Sequence, residues 1–123
     1  MNTEQIAQRL VTLCREGKFE QAHDELYADN AVSIEPDGLP PGALGSVQGL
    51  AAIRDKGRQF QERTEAVHSM AVSEPLISGN WFCVTMTMDI TMKQYGRMTM
   101  GEICVYHVHE GRIDREQFFY DVG

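Results

Sequence analysis

Between Asn80 and Met92 the chain reads N-W-F-C-V-T-M-T-M-D-I-T-M, with Phe82, Val84, Met86, Met88, Ile90 and Met92 on every second position. In an extended chain alternate side chains point to opposite faces, so this stretch predicts a long strand with one apolar face. Trp81, Cys83, Thr85, Thr87, Asp89 and Thr91 occupy the other face. Leaving that apolar row in water would cost roughly 25 cal/mol per Å², so the rest of the chain must cover it.

The N-terminal half supplies a cover with helical spacing. Asn2 or Thr3 can cap a first helix, with Gln5 placed to reach back to Asn2, and Ile6, Leu10 and Leu13 form its apolar stripe up to a stop at Gly17. A second helix is predicted from Lys18 to about Ala28, with Phe19, Ala22, Leu26 and Tyr27 on one side. Ala31 to Glu35 reads as a short strand. Pro36 to Ser46 holds three of the four prolines and three glycines, a loop long enough to act as a lid. A third amphipathic helix runs from about Gly49 to Arg63 through Leu50, Ile53 and Phe60, its polar side carrying Arg54, Asp55, Arg58 and Glu62.

From Val67 onward the period changes from helical to two. Val67 to Val72, Asn80 to Met92, Met98 to Val108 and Arg112 to Tyr120 are predicted strands, with Pro75 an interruption and turns at Ser78-Gly79-Asn80 and Gln94-Tyr95-Gly96. The order α-α-β-α-β-β-β-β implies an α+β fold with helices on one face of a curved, mainly antiparallel sheet. If His109-Glu110-Gly111 is a three-residue loop, Val108 opposes Arg112 and Cys104 opposes Glu116. Glu102, Cys104 and Tyr106 then share a face with Asp114, Glu116, Phe118 and Tyr120, whereas a two-residue loop would flip the assignment.

Composition narrows the partners. With 123 residues the chain fits a single domain spanning 1–123, and a net charge of −7 with pI near 5.0 disfavours nucleic acid or an anionic membrane. There is no long apolar run and no basic-then-apolar leader, so a cytoplasmic location is expected. Cys14, Cys83 and Cys104 are widely spaced in apolar surroundings and read as free thiols. G-x-S-x-G, G-x-G-x-x-G and G-x-x-x-x-G-K are absent, which leaves serine nucleophile chemistry and nucleotide binding unsupported.

Three segments carry a family resemblance: Y-A-D-N-A-V-S-I-E-P-D-G (Tyr27 to Gly38), V-Q-G-L-A-A-I-R (Val47 to Arg54) and H-E-G-R-I-D-R-E-Q-F-F-Y-D (His109 to Asp121). With the order of elements, they make the chain resemble the SnoaL-like branch of the nuclear-transport-factor-2-like (ketosteroid isomerase-like) superfamily. The resemblance implies a cone-shaped pocket between three helices and the concave sheet face, no cofactor, and a homodimer formed by the sheets. In ketosteroid isomerase a similar Y-A-D-D-A segment runs into the catalytic aspartate, and on that match Glu35 holds the base position. The isomerase's oxyanion donors, a Tyr and a protonated Asp, would fall on Leu10 and Cys104. Leucine has no donor and a thiol is a weak one, so steroid isomerisation is not expected. Glu116 and Asp121 are both candidates for the C-terminal polar residue of the polyketide-cyclising members.

The residues themselves add further expectations. A carboxylate at the rim of an apolar cavity is pushed toward a pKa useful for a general base, which suits Glu35. Glu102 and Glu116 are acidic residues within apolar strands, and with Glu35 and an inward-facing His68 they would form a polar cluster. The candidate catalytic residues are therefore Glu35, His68 and Glu116. The candidate ligand contacts are Leu10, Phe60, Met70, Phe82, Val84, Met86, Met88, Glu102, Cys104, Tyr106, Phe118 and Tyr120. His107 and His109 stand at metal-chelating spacing without a third ligand, so no metal is expected. The ligand would be a small apolar or amphipathic molecule, for which the methionines offer an adaptable surface. Trp81, Ile103, Val105 and Phe119 on the alternate face suggest a sheet-to-sheet homodimer.

Overall fold

The computed structural model describes Met1 to Val122. It begins with helix α1 (Thr3–Arg15), opened by a reciprocal capping box in which Asn2 Oδ1 accepts from the Gln5 N–H at 2.8 Å and Gln5 Oε1 accepts from the Asn2 N–H at 2.9 Å. Its stripe of Ile6, Leu10 and Leu13 is buried. After Gly17, which takes a positive φ of 73°, helix α2 (Phe19–Leu26) packs against α1. Strand β1 (Tyr27–Ile34) follows without a linker, four residues earlier than its apolar pattern suggests, and an irregularity between Tyr27 and Val32 divides it. A two-residue strand β2 (Val47–Gln48) and helix α3 (Leu50–Arg63) complete this half. The residue before α3 is Gly49, at a φ of 91° that a side chain would strain.

The C-terminal half is β3 (Thr64–Val72), β4 (Leu76–Ser78), β5 (Trp81–Met92), β6 (Gly96–His109) and β7 (Arg112–Phe119). The strands form one sheet in the order β2-β1-β7-β6-β5-β3, with β4 beside the start of β5. Among the described residues, only the β1–β7 pair is parallel. The fold is thus three helices on a mainly antiparallel, curved and unclosed sheet, as expected. The two extra strands, β2 and β4, are too short for alternation to reveal them. Phe82, Val84, Met86 and Ile90 of β5 are buried, Met88 and Met92 half-buried, and Phe82 stacks on Tyr106 with ring centroids 4.8 Å apart. Burying a side chain of this size contributes about 2–3 kcal/mol, which makes this stack a centre of the core.

The β6–β7 turn differs from the three-residue expectation. His109 pairs with Arg112 across a two-residue turn, Glu110-Gly111, whose φ angles of 50° and 75° are both positive as a type I′ turn requires. Such a turn alone would have reversed the faces. An extra residue on β7 restores them: Val108 pairs with Ile113 but His107 with Arg115, so Asp114 is squeezed out of the ladder. Cys104 consequently faces Phe118 and Tyr106 faces Glu116, rather than Cys104 facing Glu116. Glu102, Cys104, Tyr106, Glu116 and Phe118 do share the inner face. Asp114 does not, and its carboxylate meets His107 Nδ1 at 2.7 Å beside Trp81 on the outer face.

Candidate active site

Glu116 is only 5% exposed, although nothing about its strand position forbids an apolar residue. The parallel register of β1 and β7 sets Ser33 opposite Glu116, and the antiparallel register of β6 sets Tyr106 on its other side. Tyr27 donates its hydroxyl proton to Glu116 Oε1. Burial pushes the Glu116 carboxyl upward in pKa, while hydrogen bonds from the Tyr27 and Ser33 hydroxyls and the charge of Lys56 pull the other way. Burial, with Glu116 nearby, drives Tyr27 far above the usual phenol range, so it is a donor and not a base.

Ser33 begins a chain of polar contacts that leads outward. Ala31 and Ser33 are fully buried on β1, and Glu35 continues the same alternation at the strand's end. Lys56, from α3, donates to Ser33 Oγ at 2.6 Å, to Glu35 Oε2 at 3.1 Å and to the Gly45 carbonyl at 3.3 Å. All three ammonium protons are thus engaged. The Lys56 and Glu35 side chains are 13% and 10% exposed, which makes theirs the least solvated lysine or arginine ion pair among the described residues. The second Glu35 oxygen, Oε1, accepts from Tyr120 at 2.7 Å, and the Lys56 ammonium lies 5.6 Å from the centre of the Phe118 ring. The Pro36–Ser46 loop is tied down at the same place, since Ser46 Oγ accepts from the Glu35 N–H at 2.8 Å and Arg63 donates to the Gly42 carbonyl at 2.9 Å.

Glu102 closes the cluster from β6. Its neighbour across the ladder is Met86, and its one side-chain partner is the Cys104 thiol, 3.6 Å away. Burial, then the nearby charge of Glu35, raise its pKa from 4.5 to about 7 against the hydrogen bond from Cys104, with Glu116 adding to the rise and Lys56 opposing it. Burial also drives Cys104 well above the normal thiol range, with Glu102 adding to it. Cys104 therefore stays a thiol and has no nucleophilic form to offer. Tyr120 is raised by burial and by its bond to Glu35.

Of the catalytic candidates, Glu35 and Glu116 come together with Glu102, and His68 does not. A register irregularity between Val67 and Ser69 takes His68 out of the ladder, and the ring lies exposed with Nε2 2.7 Å from Thr91 Oγ1, away from the inner face of Met70 and Val72. Lys56 supplies the cation expected of a histidine. Its spacing carried the signal, because it falls three residues after Ile53 and four before Phe60, on the apolar stripe of α3. Tyr27 and Ser33 escaped notice because their partner, Glu116, is distant in sequence.

Among the expected ligand contacts, Leu10, Phe82, Val84, Met86, Cys104 and Tyr106 are sealed in the core, each 6% exposed or less. Phe60, Met70, Met88, Glu102, Phe118 and Tyr120 are half-buried. Two surface clefts lie among the described residues near these elements, and the lining of neither is that of the chamber between helices and sheet implied by the resemblance. One, of about 340 Å³, is lined by Pro36, Ile103, Gln117, Phe118, Phe119, Tyr120 and Asp121 and so adjoins the Tyr120–Glu35 end of the cluster. The other, of about 370 Å³, lies against Ala28, Asn30 and the β6–β7 turn. No group of three potential metal ligands occurs among the described residues, and no helix there is long and apolar enough to cross a membrane.

Comparisons with known proteins bear on the whole chain. The family model described as SnoaL-like domain matches residues 1–120. A Mesorhizobium loti protein, provisionally named a SnoaL-like polyketide cyclase, is 32% identical, superposes with a TM-score of 0.89, and is matched over 98% of this chain and 100% of its own. An NTF2-like protein of unknown function from Burkholderia pseudomallei (19% identity, TM-score 0.80, 98% and 92% covered) has the same fold. So does TerC, crystallised with polyporic acid (16% identity, TM-score 0.78, 97% and 91% covered). A comparison with curated protein sequences finds no match.

The raised pKa of Glu102 has a consequence for stability. A carboxyl that holds its proton more tightly when folded contributes stability that is complete below the unfolded pKa and lost as pH climbs through the folded one, here between 4.5 and about 7. Glu102→Gln cannot ionise. Relative to wild type it should therefore gain on the order of 3 kcal/mol between about pH 4 and about pH 8. Urea denaturation across that range measures it, and a difference independent of pH would contradict the assignment.

Proposed function

Because the chain belongs to the SnoaL-like domain family, we propose that it acts on a small apolar or amphipathic carbonyl compound, moving a proton beside the carbonyl in an isomerase or cyclase type of reaction without a cofactor. The observation that carries this reading is the concentration of Glu35, Glu102 and Glu116 around the single cation Lys56, at the inner face of an otherwise apolar sheet. Burial raises the pKa of Glu102 and of Glu116, which suits a carboxyl that holds a proton in an apolar site. Glu35 is the base in this reading. Lys56 and Tyr120 hold it in one orientation, and its neighbours Pro36 and Tyr120 line a surface cleft.

The sealed packing around Phe82 and Tyr106 favours a second reading, a binding or interaction module whose polar cluster orients a ligand without turnover. Turnover decides between them. Against a panel of enolisable ketones, Glu35→Gln should lower the rate about 10²–10⁴-fold, measured where circular dichroism shows the variant folded, since its amide oxygen still accepts from Lys56 but no longer compensates the charge. Equal rates for the two proteins would favour the binding module.

The same reading includes a homodimer through the outer sheet face. Trp81, Ile103 and Phe119 are 46%, 48% and 47% exposed there, and Ile103 pairs directly with Phe119. Sedimentation at micromolar concentration should give a dimer that Ile103→Glu converts to a monomer. A wild-type monomer would remove this part of the proposal.

A further inference from the structure

We infer that Tyr120 is a gate, whose side chain shuts the Glu35–Lys56 pair off from the neighbouring cleft and opens it by giving up one hydrogen bond. The inference rests on the reading above and adds how that site is entered, but it is tested through access to Glu35 and not through turnover. It starts from a mismatch. The Glu35 and Lys56 side chains are only 10% and 13% exposed, and neither lines the cleft of about 340 Å³ beside them. Three residues that do line it nevertheless adjoin the pair. Pro36 follows Glu35 in the chain, the Phe118 ring lies 5.6 Å from the Lys56 ammonium, and Tyr120 donates to Glu35 Oε1 at 2.7 Å. At Tyr120 the wall between cleft and carboxylate is therefore one side chain thick.

These three residues differ in what holds them. Pro36 has a φ fixed by its ring and follows Glu35, whose N–H is bound by Ser46 Oγ at 2.8 Å. Phe118 is paired with Cys104 in the β6–β7 ladder. Tyr120 lies one residue beyond the end of β7, outside the ladder and close to the end of the chain. Among the described residues its hydroxyl has one partner, Glu35. Backbone past the last ladder pair opens at the lowest cost, so the wall gives way first at Tyr120. Burial, then the bond to Glu35, push the phenol upward in pKa, so it stays a donor and pH does not release the latch. Opening also leaves the pair intact. Lys56 holds Glu35 through the other oxygen, Oε2, at 3.1 Å, which leaves a carboxylate of set orientation with Oε1 free towards the space that Tyr120 vacates.

The test is carboxyl labelling by a water-soluble carbodiimide with a small amine, located residue by residue by mass spectrometry in wild type, Tyr120→Phe and Tyr120→Ala. Tyr120→Phe keeps the ring and loses the latch. Because a hydrogen bond to a charged group holds the gate shut in wild type, Glu35 should label about tenfold faster in this variant. Tyr120→Ala removes the wall as well and should label faster still. Glu116, 5% exposed and bonded to Tyr27, is the internal control and should label at the wild-type rate in both variants. Equal Glu35 rates in the three proteins would overturn the gate. Glu116 labelling that rises in step with Glu35 would overturn it too, because the variants would then have loosened the whole interior. Neither result touches the turnover of enolisable ketones, so the gate and the reading above fail separately.

Discussion

One lysine ammonium, placed where the spacing of α3 calls for an apolar side chain, organises the interior of this protein. Lys56 reaches over Phe118 to bind Ser33, Glu35 and the carbonyl of Gly45, so a single charge joins α3, both sides of the end of β1 and the loop that follows it. A charge in such surroundings is costly unless each of its protons finds an acceptor, and here each does. Deleting the partner of a buried ion costs about 3–5 kcal/mol, because the remaining charge is left uncompensated. The orientation of Glu35 and part of the anchoring of the Pro36–Ser46 loop follow from where this cation sits, while burial dominates the electrostatics of Glu102 and Glu116, with Lys56 pulling against it.

The surroundings divide three similar carboxylates into different roles. Glu35 is clamped at the rim by Lys56 and Tyr120, Glu116 is sealed beneath the hydroxyls of Tyr27 and Ser33, and Glu102 is left without a strong donor. Their side chains are chemically identical. What separates them is register: the parallel pairing of β1 with β7 delivers Ser33 to Glu116, and the antiparallel pairing of β5 with β6 sets the uncharged Met86 opposite Glu102. The same cluster serves proton transfer in the proposed reaction and orientation in a pure binding protein.

Much of this was legible in the sequence where the signal is local. The alternation of β5, the capping box at Asn2 and Gln5, the stop at Gly17 and the break at Pro36 each sit within a few residues of the structure they specify. Family resemblance extended that to Glu35 and to the fold. Errors arose where one extra residue changes a face. The irregularity beside His68 moved that ring outward, and the squeezed-out Asp114 compensated for a turn one residue shorter than expected. Lys56 was missed for a different reason. A lysine in an amphipathic helix usually marks the solvated side, and only its spacing from Ile53 and Phe60 set it apart.

The central claim is that Glu35, Glu102 and Glu116 share one buried cation and hold a proton among them near neutral pH. Carbon-13 NMR of the glutamate side-chain carboxyls, followed through a pH titration, tests it most directly. One carboxyl should titrate at about 7, should vanish from the spectrum in Glu102→Gln, and should move still higher in Lys56→Met, because the lysine's charge pulls it down. If every glutamate titrates near the ordinary 4.5, or if the high titration survives loss of Glu102, the account of the cluster is wrong.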